Sequence, residues 1–238
     1  MKTRKYFVNC IIWLLSIFNA YAQDSLAIRQ VEQIVHLKPG CTSSMNWTEL
    51  ILADKSIQDK INMTIRKSMV AYWIKPEDVD AMCNHSLSHE TKCLLSFRQN
   101  HLASFLIKSQ TRYLNGGTQG WVQLKGINID VLTGDEFNFS SCFLPAKMAK
   151  VDTLIMHRFR DCLNSYEVHS SVWLKQLTNP VFRIRNSGLD VYFINENFAM
   201  GYEEVHLSFD EIKAYIDPHG PLARIYGLAQ SQGNWNEH

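Results

Sequence analysis

The residue types best suited to chemistry in this 238-residue chain sit in two short stretches, Cys83-Asn84-His85 and His89-Glu90. A thiol beside an imidazole is the pairing a nucleophilic cysteine needs, because the base takes its proton. The same residues also read as a polar loop closed by a disulfide between Cys83 and Cys93, and that is the reading expected here. His85 and His89 stand one helical turn apart, as two metal ligands on a helix face would. The H-E-x-x-H pattern is missing and no third ligand is evident, so a solvated pair is expected. Asp135 and Glu136 beside a turn could act as a carboxylate pair, yet as turn and cap residues they need no function. No serine sits in a G-x-S-x-G elbow.

The stretch Tyr113 to Val122, YLNGGTQGWV, raises phosphate binding. A P-loop requires Lys and then Ser or Thr after its last glycine, opening a helix. A dinucleotide fingerprint needs its third glycine three residues beyond the second, again at a helix start. Gly116, Gly117 and Gly120 have neither spacing, and a strand-like run follows them, so a turn between strands is expected. No catalytic residue, cofactor, cofactor-binding residue or metal ligand is therefore assigned.

The first 22 residues have the layout of a cleavable secretory signal peptide. Lys2, Arg4 and Lys5 precede an apolar run from about Val8 to Phe18, and small residues stand before Gln23. The run is short for a membrane span, which takes roughly 20 residues. Cleavage after Ala22 would leave 21 basic and 23 acidic residues of the original 24 and 23. That near-neutral balance carries no electrostatic footprint for nucleic acid. A periplasmic or secreted location follows, with no membrane span after cleavage.

Export makes disulfides possible, and five cysteines remain: Cys41, Cys83, Cys93, Cys142 and Cys162. Cys83 and Cys93 are the expected pair, since a polar loop brings near neighbours within the Cα separation of roughly 4.4–6.8 Å that a bridge requires. A continuous helix from Pro145 to Leu163 would keep Cys142 and Cys162 roughly 25 Å apart at about 1.5 Å per residue.

The elements follow from periodicity. Ile57, Ile61, Ile65, Met69 and Tyr72 mark one face of an amphipathic helix over Lys55 to Trp73. Pro76 to Thr91 is polar and reads as a connection or a short irregular helix. Cys93–Phe97, Leu102–Tyr113 and Trp121–Val131 read as strands of an antiparallel meander with one buried face. A second amphipathic helix is expected from about Pro145 to Leu163, and another over Ser165 to Leu177. Val181–Arg185 and Leu189–Ile194 form a hairpin about Asn186-Ser187-Gly188. Val205–Phe209 is a further strand, and Asp210–Ile216 a short helix. The fold class is α+β, an antiparallel sheet packed against two or three amphipathic helices. The expected organisation is a signal peptide over 1–22, an N-terminal segment over 23–54, an α/β domain pair sharing one core over 55–228, and a loose tail over 229–238.

The order of short motifs is more informative than any one of them. Ile57-Gln58-Asp59-Lys60-Ile61-Asn62 is followed by the Gly116-Gly117 turn, then Ile129-Asp130 and Leu132-Thr133-Gly134-Asp135-Glu136-Phe137. The chain closes on Phe182, Gly188-Leu189-Asp190-Val191-Tyr192-Phe193, Gly201 and Val205-His206-Leu207-Ser208-Phe209-Asp210-Glu211-Ile212. This order resembles the RsiV-like extracytoplasmic family, a DUF3298/DUF4163-type module found in a lysozyme-sensing anti-sigma factor, beside a peptidoglycan deacetylase domain and in secreted relatives. Members usually carry Ala and His after the glycine pair, where this chain has Thr118 and Gln119. The resemblance implies antiparallel strands packed against helices.

Tyr192, Phe193, Phe198 and Tyr202 form the densest aromatic group. Strand alternation sends half of them to the core and half to the surface; exposed aromatics flanked by Arg183 and Arg185 would suit a protein-binding patch, while core packing is the expected role for most of them. The function expected is an exported non-catalytic binding module of the bacterial cell envelope, with a protein or glycan cell-wall component as ligand. The other class is an envelope hydrolase or deacetylase acting on peptidoglycan.

Overall fold

The computed structural model describes residues 27–38, 41–72, 79, 83, 87–113, 122–162, 180–194 and 202–225. Its fold is α+β: a six-stranded mixed sheet in the order β1 to β6, a separate three-stranded sheet, and helices. The chain divides into two compact units. The first draws on Met1–Leu94 and Ile107–Gln123, the second on Leu95–Leu106 and Leu124–His238.

In the first unit, β1 (Ala27–Lys38) and β2 (Cys41–Ile51) form a long antiparallel hairpin, in register from Ala27↔Ile51 to His36↔Thr42. Both strands fall in the segment where no element was expected. The buried positions of β2 include Ser43, Thr48 and Glu49, so burial there does not follow hydrophobicity and the usual alternation is hidden. Glu49 is paid for by three partners: Arg29 from β1, Arg66 from the helix that follows, and the Trp47 indole. Burial works to raise its pKa, and these hydrogen bonds outweigh burial and hold the carboxylate below its ordinary range.

Helix α1 (Lys55–Val70) starts where Asp54 accepts hydrogen bonds from the Ser56 and Ile57 amides, at 2.9 and 3.1 Å, an N-cap of the usual kind. It buries Ile61, Ile65 and Met69, the face the periodicity picks out. Asn62 on the same side grips β2, donating to the Leu50 carbonyl and accepting from its amide, both at 2.9 Å. Because α1 carries the chain back across the sheet, β3 (Leu87–Gln99) returns parallel to β2, with Cys41↔Leu87 and Trp47↔Cys93 in register. A parallel neighbour needs such a crossover, and this pair is the exception to the antiparallel expectation. It also places His89 and Thr91 on a strand, within the stretch read from sequence as a connection.

The second unit takes the remainder of β3 and the first part of β4 (Leu102–Tyr113). These strands are joined by Asn100-His101, whose φ angles of 51° and 59° give the left-handed two-residue turn that matches strand twist. β5 (Val122–Asp130) and the two-residue β6 (Asp135–Glu136) pair antiparallel around Gly134, at φ 71°. Helix α2 (Met148–Cys162) follows a 3₁₀ turn opened by Pro145, and buries Val151, Ile155 and Phe159. The small sheet is β7 (Val181–Arg185), β8 (Gly188–Ile194) and β9 (Tyr202–Ser208), an antiparallel meander. Its core face carries Phe182, Ile184, Leu189, Val191, Val205 and Leu207, and Phe193 packs 4.3 Å from the Phe159 ring of α2. Helix α3 (Phe209–Ile212) is capped by Ser208 and Glu211 reciprocally.

The expected leader over 1–22, the Gly116-Gly117 turn, the helix over Ser165 to Leu177, Phe198, His85 and the tail over 229–238 lie outside the described residues. Among the described residues, no helix is long and apolar enough to cross a membrane.

Candidate functional site

The three-stranded sheet has two chemically opposite faces. Strand alternation gives one to the hydrophobic core, and sends Arg183, Arg185, Asp190, Tyr192, Glu204 and His206 to the other. The register then sets neighbours. Arg183 stands opposite Asp190, Asp190 opposite His206, and Tyr192 opposite Glu204. Of the aromatic group read from sequence, Tyr192 and Phe193 are buried, as core packing would have them, and Tyr192 lies beside Arg183 and Tyr202 on this face.

Asp190 is the centre of this face, with its side chain only 1% exposed. Its two oxygens have separate partners. Oδ2 accepts from Arg183 Nε at 2.9 Å and also pairs with Arg185 Nε. Oδ1 lies 2.8 Å from His206 Nδ1. Glu204 receives the other ends of both guanidinium groups, at 3.5 Å from Arg183 Nη2 and 3.1 Å from Arg185 Nη2. Two cations and two anions therefore balance, which is the condition for burying a carboxylate in this position. Burial opposes the charge on Arg183, but the bond to Asp190 and its other charged neighbours raise its pKa above the ordinary value. Its guanidinium also lies 5.6 Å from the centre of the Tyr192 ring, within cation–π range. Burial pushes the Tyr192 phenol up, so it stays neutral. Tyr202 packs edge-on to Tyr192 at 5.6 Å.

The network continues to the surface. His206, 41% exposed, has Nε2 at 3.3 Å from the hydroxyl of Ser187 in the β7–β8 turn. A carboxylate only accepts, so a neutral His206 carries its proton on Nδ1. Its Nε2 then offers a lone pair to Ser187. The Ser187 carbonyl is held by the Phe209 amide at 3.0 Å. Gly188 beside it has no room for a side chain, since a Cβ there would lie 2.0 Å from the Leu207 carbonyl oxygen.

The residues first considered for chemistry are placed otherwise. Cys83 does not bond to Cys93; its partner is Cys41, with Cα atoms 5.6 Å apart and a sequence separation of 42. The parallel register explains the correction. Leu87 lies beside Cys41, while Cys93 is six residues further along β3 beside Trp47, or about 20 Å away at roughly 3.3 Å per residue. Cys93 is a free, buried thiol whose pKa burial pushes up to about 12, the reverse of what a nucleophile needs. Cys142 is likewise free and buried.

His89 is not solvated. Its Nε2 lies 2.8 Å from the Tyr72 carbonyl and its Nδ1 3.0 Å from Thr111 Oγ1. The carbonyl requires the proton on Nε2, so Nδ1 accepts from Thr111 and no lone pair is left to act as a base. Thr91 and Ser109 complete this buried polar cluster, 3.1 Å apart. Burial holds the pKa of His89 below the ordinary 6.5. Asp135 and Glu136 are exposed on β6. Among the described residues, no group of three or more His, Cys, Asp or Glu is placed to hold a metal ion.

Nothing in the sequence marked Ser187, Asp190 and His206 as a set. Asp190 and His206 are 16 positions apart, and only the strand register brings them together. The signals available were the hairpin turn and the strand after it, each identified for its local structure alone.

No protein-family profile matches the chain, and no curated protein does either. Solved structures do match in fold. A member of the DUF3298 family from Bacteroides fragilis NCTC 9343 superposes with a TM-score of 0.59 at 12% identity, over 87% of this chain and 98% of that one. A DUF3298-family protein from Pseudomonas aeruginosa PAO1 gives a TM-score of 0.59 at 10% identity, over 82% and 96%. The α+β fold built around this charged face is thus the fold of solved DUF3298-family proteins.

Proposed function

We propose that the chain is an exported, non-catalytic binding module of the cell envelope, of the RsiV-like kind, which engages a protein or a cell-wall component through the outer face of β7–β8–β9. The observation that carries this reading is the rigid mounting of Arg185, Glu204 and His206 over buried Asp190. Rigid polar groups lose little entropy on binding, and Arg and Tyr are enriched where protein surfaces bind most tightly. The shared DUF3298 fold, the motif order and the Cys41–Cys83 bridge support the family and the oxidising compartment.

The test is retention of envelope components on the processed protein, alongside co-sedimentation with purified peptidoglycan. The wild type should retain a defined species that Arg185→Gln releases, with folding of the variant checked by circular dichroism. Equal retention by the variant, or none by the wild type, would remove this face from the function. The second reading is an envelope hydrolase or deacetylase acting on peptidoglycan. It draws support from one observation, the line of Ser187, His206 and Asp190, and it requires turnover of peptidoglycan by the wild type.

A further inference from the structure

We propose that Ser187 is an activated nucleophile that accepts an acyl group from a small activated ester, with His206 as its base and Asp190 as the positioning group. This inference goes beyond the binding reading and does not depend on it. It rests on three relationships: Ser187 Oγ to His206 Nε2 at 3.3 Å, His206 Nδ1 to Asp190 Oδ1 at 2.8 Å, and the burial of Asp190 beneath exposed partners. That is the arrangement by which hydrolases of unrelated folds activate serine, recognised by geometry and roles rather than by motif.

The protons follow from the bonds. Asp190 accepts from Nδ1–H and so selects the tautomer whose Nε2 takes the Ser187 proton. Arg183 and Arg185 pair with Oδ2, which leaves Oδ1 for the imidazole. Their charges also offset that of Asp190, so the carboxylate acts here by orientation. A separation of 3.3 Å is loose, as such pairs commonly are without substrate. Ser187 is exposed on a turn, and the Phe209 amide together with crowded Gly188 holds that turn in place. An ester carbonyl therefore has access to Oγ.

In the step itself, Oγ bonds to the carbonyl carbon as its proton passes to His206 Nε2. The bond from that carbon to the leaving oxygen then breaks, and His206 returns the proton to the departing alcohol. An acyl-Ser187 ester and one alcohol result, with no change of oxidation state. The step is a stoichiometric acylation.

The experiment treats the processed protein with p-nitrophenyl acetate and, separately, with a fluorophosphonate. Intact mass and peptide mapping then locate the adduct. A single adduct on Ser187 is expected, forming about 10²-fold or more faster than background labelling of Ser187→Ala. His206→Gln should fall to that background while remaining folded at the assay temperature, checked by circular dichroism. Absence of an adduct, an adduct on another residue, or equal labelling of His206→Gln would each overturn the proposal. Those results would make the three residues a tie between a hairpin and its neighbour, and would leave the binding reading standing.

Discussion

Ser104 and Asn128 hydrogen-bond side chain to side chain at 2.7 Å and together close the outer edge of β7. Ser104 Oγ accepts the Ile184 amide at 2.8 Å, and Asn128 Nδ2 donates to the Phe182 carbonyl at 3.1 Å. Two backbone groups that β8 does not use are thereby satisfied in a buried setting, by side chains in place of another strand. Replacing Asn128 by Leu strands both the Phe182 carbonyl and the Ser104 hydroxyl. A loss of about 1–3 kcal/mol is expected for the buried unsatisfied groups, read from chemical denaturation. An unchanged midpoint would mean water enters and substitutes for the amide.

The same contact sets a limit at Gly126. A Cβ built there would lie 1.9 Å from the Phe182 carbonyl oxygen, which is backbone and does not swing aside. Gly126→Ala should therefore lower the melting temperature more than Asn128→Leu does. A melting temperature close to wild type would show that β7 sits further from β5.

Reduction should weaken the first unit through Cys41–Cys83. Losing the bridge is expected to cost about 2–4 kcal/mol, seen as a fall in melting temperature with reductant that Cys83→Ser reproduces and reductant does not deepen. Non-reducing peptide mapping should return the Cys41–Cys83 pair, and Cys93→Ser should leave that map unchanged. A Cys83–Cys93 peptide would contradict the parallel register of β2 and β3.

His89 makes stability depend on mildly acidic pH. Its folded pKa lies below 6.5 because of burial, against the opposing pull of the Tyr72 carbonyl. The unfolded chain therefore binds the proton first. Stability from this group is complete above about pH 6.5 and is lost as pH falls through the lower folded value. Urea midpoints from pH 7.5 to 5 should decline, and His89→Gln should flatten that decline whatever its own stability. An equally steep decline in the variant would assign the effect to other groups.

Glu211 acts in a lower window. Arg158, and then Ser208, draw its pKa from 4.5 to about 2. Its contribution is present above about pH 4.5 and disappears as pH falls toward 2. A carboxyl titration by NMR should show the depressed midpoint, and Arg158→Ala should bring it back up. Glu211→Ala removes one half of the capping box and should cost on the order of 1 kcal/mol at neutral pH. A Glu211 midpoint near that of a free glutamate would show that the capping contact does not persist in solution.

What the sequence determined by itself is local. The face of α1 through Ile61, Ile65 and Met69 follows from steps of three and four, and the span of α2 from the same periodicity after Pro145. The β7–β8 hairpin follows from apolar runs on either side of Asn186-Ser187-Gly188. Each signal is carried by residues a few positions apart, and each survives without knowing what packs against it. Tertiary structure decided where the pattern is broken by buried polar groups. β1, β2 and the start of β3 were hidden because Glu49, His89 and Thr91 occupy interior positions whose cost is met by distant hydrogen-bond partners. It also decided every long-range pair. Cys83 meets Cys41 because α1 forces β3 to return parallel, and Asp190 meets His206 because β8 and β9 align at that register. A slip of one residue in either strand would turn these side chains to the opposite face, and the local periodicity of each strand would read the same.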